Sequence, residues 1–165
     1  MIAVDIISDG LFAAVAAMGF GSISDPPARA FKFIALLAAA GHAARYCLMT
    51  FLDVDIASAS FVAAFIIGAG SVWAGKKVFC PMTVLYIPAL LPMVPGTYAY
   101  KTVFSLIMFL QEISSPTQGS EYLQTMIFNA AVSFSVIFML AVGATLPVFL
   151  LRERANSMTR GSRYI

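Results

Sequence analysis

Charged and reactive side chains are scarce in this sequence. Only 11% of its 165 residues are charged, against about 25% in a typical globular protein. Hydrophobic residues make up 61% of the chain. A soluble domain of this size cannot bury that much apolar surface. The composition therefore excludes a soluble enzyme, a disordered chain and a nucleic-acid-binding protein, which would need a dense basic surface.

The residues that build metal centres and catalytic sites are equally few. His42 is the one histidine, and the two cysteines, Cys47 and Cys80, lie in apolar runs without the spacing of a metal site. No Ser-His-Asp set, phosphate-binding loop or zinc-protease motif is present, and the polar residues form no plausible acid–base pair. We therefore expect no enzymatic activity, no metal and no cofactor.

Long apolar segments dominate what remains. We predict an all-α integral membrane protein with about five transmembrane helices over residues 1–151, and a basic cytoplasmic tail over residues 152–165. The first segment lacks the basic start of a signal peptide, so we interpret it as a retained helix. Ala64 and Gly68 have the spacing of tightly packed membrane helices. The predicted spans cover residues 2–23, 30–51, 56–75, 78–112 and 122–151.

The fourth segment, residues 78–112, is too long for one straight span and short for two. Pro92, Pro95 and Gly96 follow one another so closely that a continuous α-helix is impossible. We predict one crossing that is broken at Pro92–Gly96. A plain proline kink is the alternative interpretation.

The distribution of charge supports a single, broken fourth crossing. With five crossings, eight basic residues fall on one side and six acidic residues on the other. The positive-inside rule then places the N-terminus outside and the C-terminus in the cytoplasm. The basic set is Arg29, Lys32, Lys76, Lys77, Arg152, Arg154, Arg160 and Arg163, and the acidic set is Asp5, Asp9, Asp53, Asp55, Glu112 and Glu121.

His42 and Arg45 stand three residues apart within an apolar span, so both project from one face of a helix. Ionisable residues at bilayer depth are costly and mark candidate functional sites. One interpretation is that they line an aqueous cavity, where Arg45 holds a carboxylate and His42 couples transport to protons. The alternative is that Arg45 reaches the outer headgroups or pairs with Asp53 or Asp55.

The half-helix after the break supplies further candidates. Its positive N-terminal end favours an anion, and Tyr98 and Lys101 lie in its first turns. Asn129, with Ser133 one turn later in the last span, is able to reach the same cavity. The alternative role for Asn129 and Ser133 is hydrogen bonding between helices.

Two segments are similar to motifs of a known family. Gly41–Arg45 (GHAAR), with Leu48–Thr50 (LMT) after it, and Pro92–Tyr100 (PMVPGTYAY) resemble signatures of the threonine/serine exporter family. The resemblance covers about residues 10–150, and the size matches the short C-terminal half that is a separate subunit in the split, succinate-exporter-like members.

The resemblance implies a secondary exporter of the bacterial inner membrane. Its substrates would be small carboxylate metabolites, either threonine and serine or succinate-type dicarboxylates. We expect an ion gradient to drive export, with the proton as the coupling ion. It also implies a longer homologous partner subunit. Five helices, one of them broken, are too few to enclose a substrate path alone, so we expect a homo- or hetero-oligomer surrounded by membrane lipid. A scaffold or assembly subunit, whose polar residues only bind a partner, is the competing hypothesis.

Overall fold

The computed structural model describes residues 2–112 and 116–151, and every regular element in these two ranges is helical. The break that the prolines predict separates two of the helices. The elements are α1 (Ile2–Ser22), α2 (Ala28–Phe51), α3 (Ile56–Val78), α4 (Met82–Leu90) with a 3₁₀ turn at Leu91–Met93, α5 (Gly96–Gln111) and α6 (Pro116–Leu150).

The helices confirm the predicted membrane fold. Among the described residues, four helices are long and apolar enough to cross a membrane, and α4 with α5 forms a fifth candidate that is bent at a short break. The predicted boundaries agree with the observed ones to within a few residues, except that α6 begins six residues earlier than the predicted span. The predicted basic tail over residues 152–165 lies outside the described residues.

The chain divides into two compact units. The first contains Met1–Met93 together with Met139–Ile165, and the second contains Val94–Phe138. Helices α1 to α4 therefore belong to the first unit with the final turns of α6, while α5 and the earlier turns of α6 form the second.

Small side chains dominate the core of the first unit. Helices α1, α2 and α3 follow one another through short loops, and each packs against the next. Alanine is the commonest buried residue, so helix backbones approach closely without a large hydrophobic core. The few large side chains that are fully buried in this unit include Ile34, Ile67, Leu85 and Met93.

The predicted small-residue surface of α3 is in contact with α6. A Cβ atom built on Gly68 would collide with the backbone carbonyl of Ala144, and one built on Gly143 would lie 2.6 Å from the carbonyl oxygen of Phe61. Backbone lies against backbone here, so no side chain can move aside to make room. Glycine is therefore required at this crossing for steric reasons.

The turn between α2 and α3 is fixed by a cap. Asp55 precedes α3, and its carboxylate accepts hydrogen bonds from the backbone N–H groups of Ala57 and Ser58, both at 2.9 Å. These bonds, with that of Ser58 contributing most, lower the pKa of Asp55 below its usual value. The cap satisfies two of the orphan donors that every helix N-terminus carries.

Replacement of Gly68 by alanine is expected to destabilise the first unit by about 1–3 kcal/mol, since overpacking of this size has that cost. Thermal unfolding of the purified protein in detergent measures the effect. Gly19→Ala is the matched control, because no atom lies within 4 Å of a Cβ at that position. Equal melting temperatures for the two variants would contradict the proposed close contact.

Candidate functional site

The helix break is built by local backbone geometry. Pro95 has φ −80° and ψ 68°, which are the angles of an inverse γ-turn. The N–H of Gly96 completes that turn by donating to the carbonyl of Val94 at 2.8 Å. Helix α5 begins at Gly96, immediately after the turn. A short turn of this kind leaves helical carbonyls before it without their usual N–H partners.

Arg45 supplies a donor to one of these carbonyls. Its Nη1 donates to the backbone oxygen of Met93 at 3.1 Å. A side chain of α2 therefore supplies the hydrogen bond that the last carbonyl of the 3₁₀ turn needs. Met93 itself is almost fully buried. The guanidinium is therefore directed at the break, while Asp55, one of the partners considered for it, caps α3 instead.

His42 contacts an acidic residue of the neighbouring helix. Its Nδ1 lies 3.1 Å from a carboxylate oxygen of Asp9 in α1. The His42 side chain is only 7% exposed, whereas that of Asp9 is 43% exposed. With Asp9 ionised, Nδ1 carries the hydrogen and donates it to the carboxylate. Among the residues that the structure describes, the buried Nε2 has no hydrogen-bond partner.

These contacts join three elements of the first unit. We call Asp9, His42, Arg45 and the Met93 carbonyl the polar cluster. Tight packing surrounds the cluster, since a Cβ built on Gly41 would lie 2.9 Å from the terminal methyl of Met93. Helix α2 is thus held directly against the residues that precede the break.

The second unit carries a groove between α5 and α6. Its volume is about 480 Å³. Asn129 is almost fully buried there and donates from Nδ2 to the carbonyl of Thr125 at 2.7 Å, within its own helix. The groove is lined by Tyr98, Lys101, Phe104, Ser105, Glu121, Tyr122, Thr125, Phe128 and Asn129.

The groove contains one charge of each sign. Lys101 comes from α5 and Glu121 from α6, and both side chains are exposed. Within the described residues, neither forms an ion pair within 4.0 Å. The groove can therefore offer both an ammonium and a carboxylate to a ligand.

The residues predicted from the sequence thus fall into two groups. His42 and Arg45 meet in the polar cluster of the first unit, while Tyr98, Lys101 and Asn129 meet in the groove of the second. Ser133, the predicted neighbour of Asn129, is buried, and its hydroxyl has no hydrogen-bond partner in the described part of the chain.

Sequence reasoning missed two acidic residues. It counted Asp9 and Glu121 only as charges on the outer side. The signal for Asp9 was its position inside an apolar segment, where an ionisable residue is a functional candidate. Glu121 gave no comparable signal, because it stands at the start of the predicted last span.

The described residues contain no group of three or more histidine, cysteine, aspartate or glutamate side chains arranged to hold a metal ion. The chemistry that the two groups of residues offer is charge recognition and proton binding.

Comparison with known proteins gives a consistent result. The family model described as "Threonine/Serine exporter, ThrE" matches residues 9–150. An uncharacterized protein of Haemophilus influenzae is 32% identical over 137 residues, which cover 77% of this chain and 46% of that protein. The chain thus spans about half the length of this curated relative. No solved structure is significantly similar. Because the family model covers most of the sequence, including the helix break and the polar cluster, the chain belongs to the threonine/serine exporter family.

Proposed function

We propose that this protein is the short subunit of a secondary exporter of small carboxylate metabolites, and that the polar cluster controls its broken helix. Membership of the family supports an exporter role. The observation that carries the proposal is the hydrogen bond from Arg45 to the Met93 carbonyl. Broken helices build the substrate sites of many transporters, because their free backbone groups can exchange partners.

In this proposal Arg45 holds the break in one of two states. The Met93 carbonyl has Arg45 as a partner in the observed state. When the guanidinium withdraws, that carbonyl needs another partner, such as water or a reformed helical N–H. Two discrete arrangements of a packed element are what alternating access requires.

We further propose that protons act through Asp9 and His42. Protonation of Nε2 would add a positive charge one helical turn from Arg45, and protonation of Asp9 would remove the negative charge near both. Either event changes the electrostatics at the guanidinium. Asp9 faces the pair from α1, α3 has its two lysines, Lys76 and Lys77, in its last turn, and α4 contributes only Tyr86 as a titratable group.

The groove of the second unit is the proposed substrate site. Lys101 suits a carboxylate, Tyr98 and Asn129 offer hydrogen bonds, and Glu121 suits an ammonium group. A zwitterionic amino acid would satisfy both charges. A succinate-type dicarboxylate would place its second carboxylate near Glu121, with repulsion between like charges. We therefore favour threonine or serine over a dicarboxylate.

A longer partner completes the proposed transporter. The matched region accounts for only 46% of the Haemophilus influenzae relative, so that protein contains a further part that lies outside the matched region. The groove is also lined by residues of only two helices, α5 and α6, and a partner would enclose it. We propose an assembly in the bacterial inner membrane, with the N-terminus outside and the C-terminus in the cytoplasm.

Arg45→Ala is expected to lower export by about 10- to 100-fold, because hydrogen bonds from charged groups contribute roughly 1.5–3 kcal/mol. Substrate uptake into everted membrane vesicles that also contain the longer partner measures this loss. Immunoblotting of the same vesicles checks that insertion is unchanged. Arg45→Lys, which keeps the charge but not the planar fork, should retain part of the activity. Undiminished uptake by the alanine variant would instead favour the scaffold hypothesis.

Asp9→Asn is expected to remove the part of uptake that an imposed pH gradient drives, since the amide cannot exchange a proton with His42. The same vesicles, measured with and without an acidic interior, report this difference. Asp5→Asn is the matched control, one turn earlier on the same helix and exposed. An equal response of both variants to the gradient would rule out Asp9 as the coupling residue.

Glu121→Gln is expected to reduce threonine or serine uptake about tenfold while leaving dicarboxylate uptake unchanged or increased, since a charge-assisted bond to the ammonium is lost. Competition between labelled serine and unlabelled succinate gives the ratio. Glu112→Gln, which changes an acidic residue outside the groove lining, is the control. A parallel loss for both substrates would show that Glu121 does not select between them.

A further inference from the structure

A second charged region of the first unit lies away from the polar cluster. Arg29 and Lys32 occupy the first turns of α2, and Lys76 and Lys77 the last turn of α3. The two helices run antiparallel, so these ends are neighbours. Phe33 and Trp73 join them directly, with ring centroids 6.4 Å apart in an edge-to-face arrangement. We call this region the basic–aromatic end.

Three of the four cations lie within about 6 Å of the centroid of an aromatic ring. The ammonium of Lys77 lies 3.8 Å from the centroid of the Trp73 ring. The Lys32 ammonium lies 5.3 Å from the Phe33 centroid, and the Arg29 guanidinium lies 5.9 Å from that of Phe79. Cation–π contacts of this kind restrain long side chains that would otherwise move freely in water. The positive charge is thus concentrated where α2 begins and α3 ends.

Backbone donors add to this charge. Helices α2 and α4 both begin after a proline, at Pro27 and Pro81, and neither has a side-chain cap or an acidic residue in its first turn. The positive ends of two helix dipoles are therefore not neutralised by their own residues. The acidic side chain nearest in sequence is Asp25, in the loop that precedes α2.

Exposed apolar rings flank the cations. Trp73 is 56% exposed and Phe79 is 84% exposed. Phe79 ends α3 in the left-handed conformation, with φ 51°, and it precedes the buried Cys80. Exposed aromatic rings next to basic side chains at the end of a membrane-spanning helix match the boundary between acyl chains and headgroups. A soluble anion would use the cations but not these rings.

We propose that the basic–aromatic end binds the phosphate headgroup of an anionic phospholipid. The cations and the two uncapped helix N-termini match the phosphate, and Trp73 and Phe79 contact the glycerol and upper acyl region. Basic pockets between membrane helices recognise such headgroups by this chemistry. Phosphatidylcholine, which has no net charge, is not a ligand of this site. The proposal is independent of the transported substrate.

The test measures lipid selectivity of the full chain purified in detergent. Native mass spectrometry with equal amounts of phosphatidylglycerol and phosphatidylcholine reports the lipid that stays bound. We expect the wild-type protein to retain the anionic lipid about tenfold more than the zwitterionic one. The double variant Arg29→Gln/Lys77→Gln should reduce that ratio to near unity. Lys101→Gln, a cation of the second unit, should leave the ratio unchanged.

Further measurements keep the result decisive if the double variant unfolds. Lys77→Arg preserves the charge and should preserve the selectivity, while Lys77→Gln alone should reduce it. Inorganic phosphate, added while the ionic strength is held constant with another salt, should not displace the bound lipid. Equal retention of the two lipids by the wild-type protein, full selectivity in Lys77→Gln, or displacement by inorganic phosphate would each overturn the proposal.

Discussion

The structure depends on one rule of the bilayer: a backbone group that leaves a helix must find another partner within the protein. Pro92 and Pro95 break the fourth span, and the Met93 carbonyl is one of the groups left without a helical partner. Arg45 satisfies it from the adjacent helix. That bond gives the guanidinium a partner within a mostly apolar span. It also ties α2 to the residue at which the chain passes from one compact unit to the other.

The break itself was predictable from sequence, and the identity of its partner was not. Proline has no backbone N–H and fixes φ, so two prolines three residues apart followed by glycine exclude a continuous helix in any context. The partner of the Met93 carbonyl depends on which face of α2 meets the break. The rotation of α2 about its own axis decides this, and close packing at small residues such as Gly41 sets that rotation. Periodicity identifies the shared face of His42 and Arg45 but not what lies opposite. The same limit explains why Asp9 was counted as an outer charge although it contacts His42.

The two groups of polar residues differ in how they are held. In the polar cluster each polar side chain has a partner, and His42 retains one unpartnered nitrogen in a buried position. In the groove, Lys101 and Glu121 are exposed and unpaired within the described residues. A buried, paired network resists change until its charge changes, whereas exposed, unpaired charges are free to meet a ligand. The first arrangement is suited to switching, and the second to recognition.

Stability alone does not explain why this unit contains Asp9, His42 and Arg45. Charged groups in an apolar unit are weak evidence for stability, because desolvation offsets much of the attraction that they gain from their partners. Apolar side chains of similar volume at Asp9, His42 and Arg45 would avoid that cost, and most of the side chains that this unit buries are apolar. Such a replacement would leave the Met93 carbonyl with no donor and the break with no group that responds to a proton. The proposed control of the break would account for these residues, because an apolar core offers no group that binds a proton.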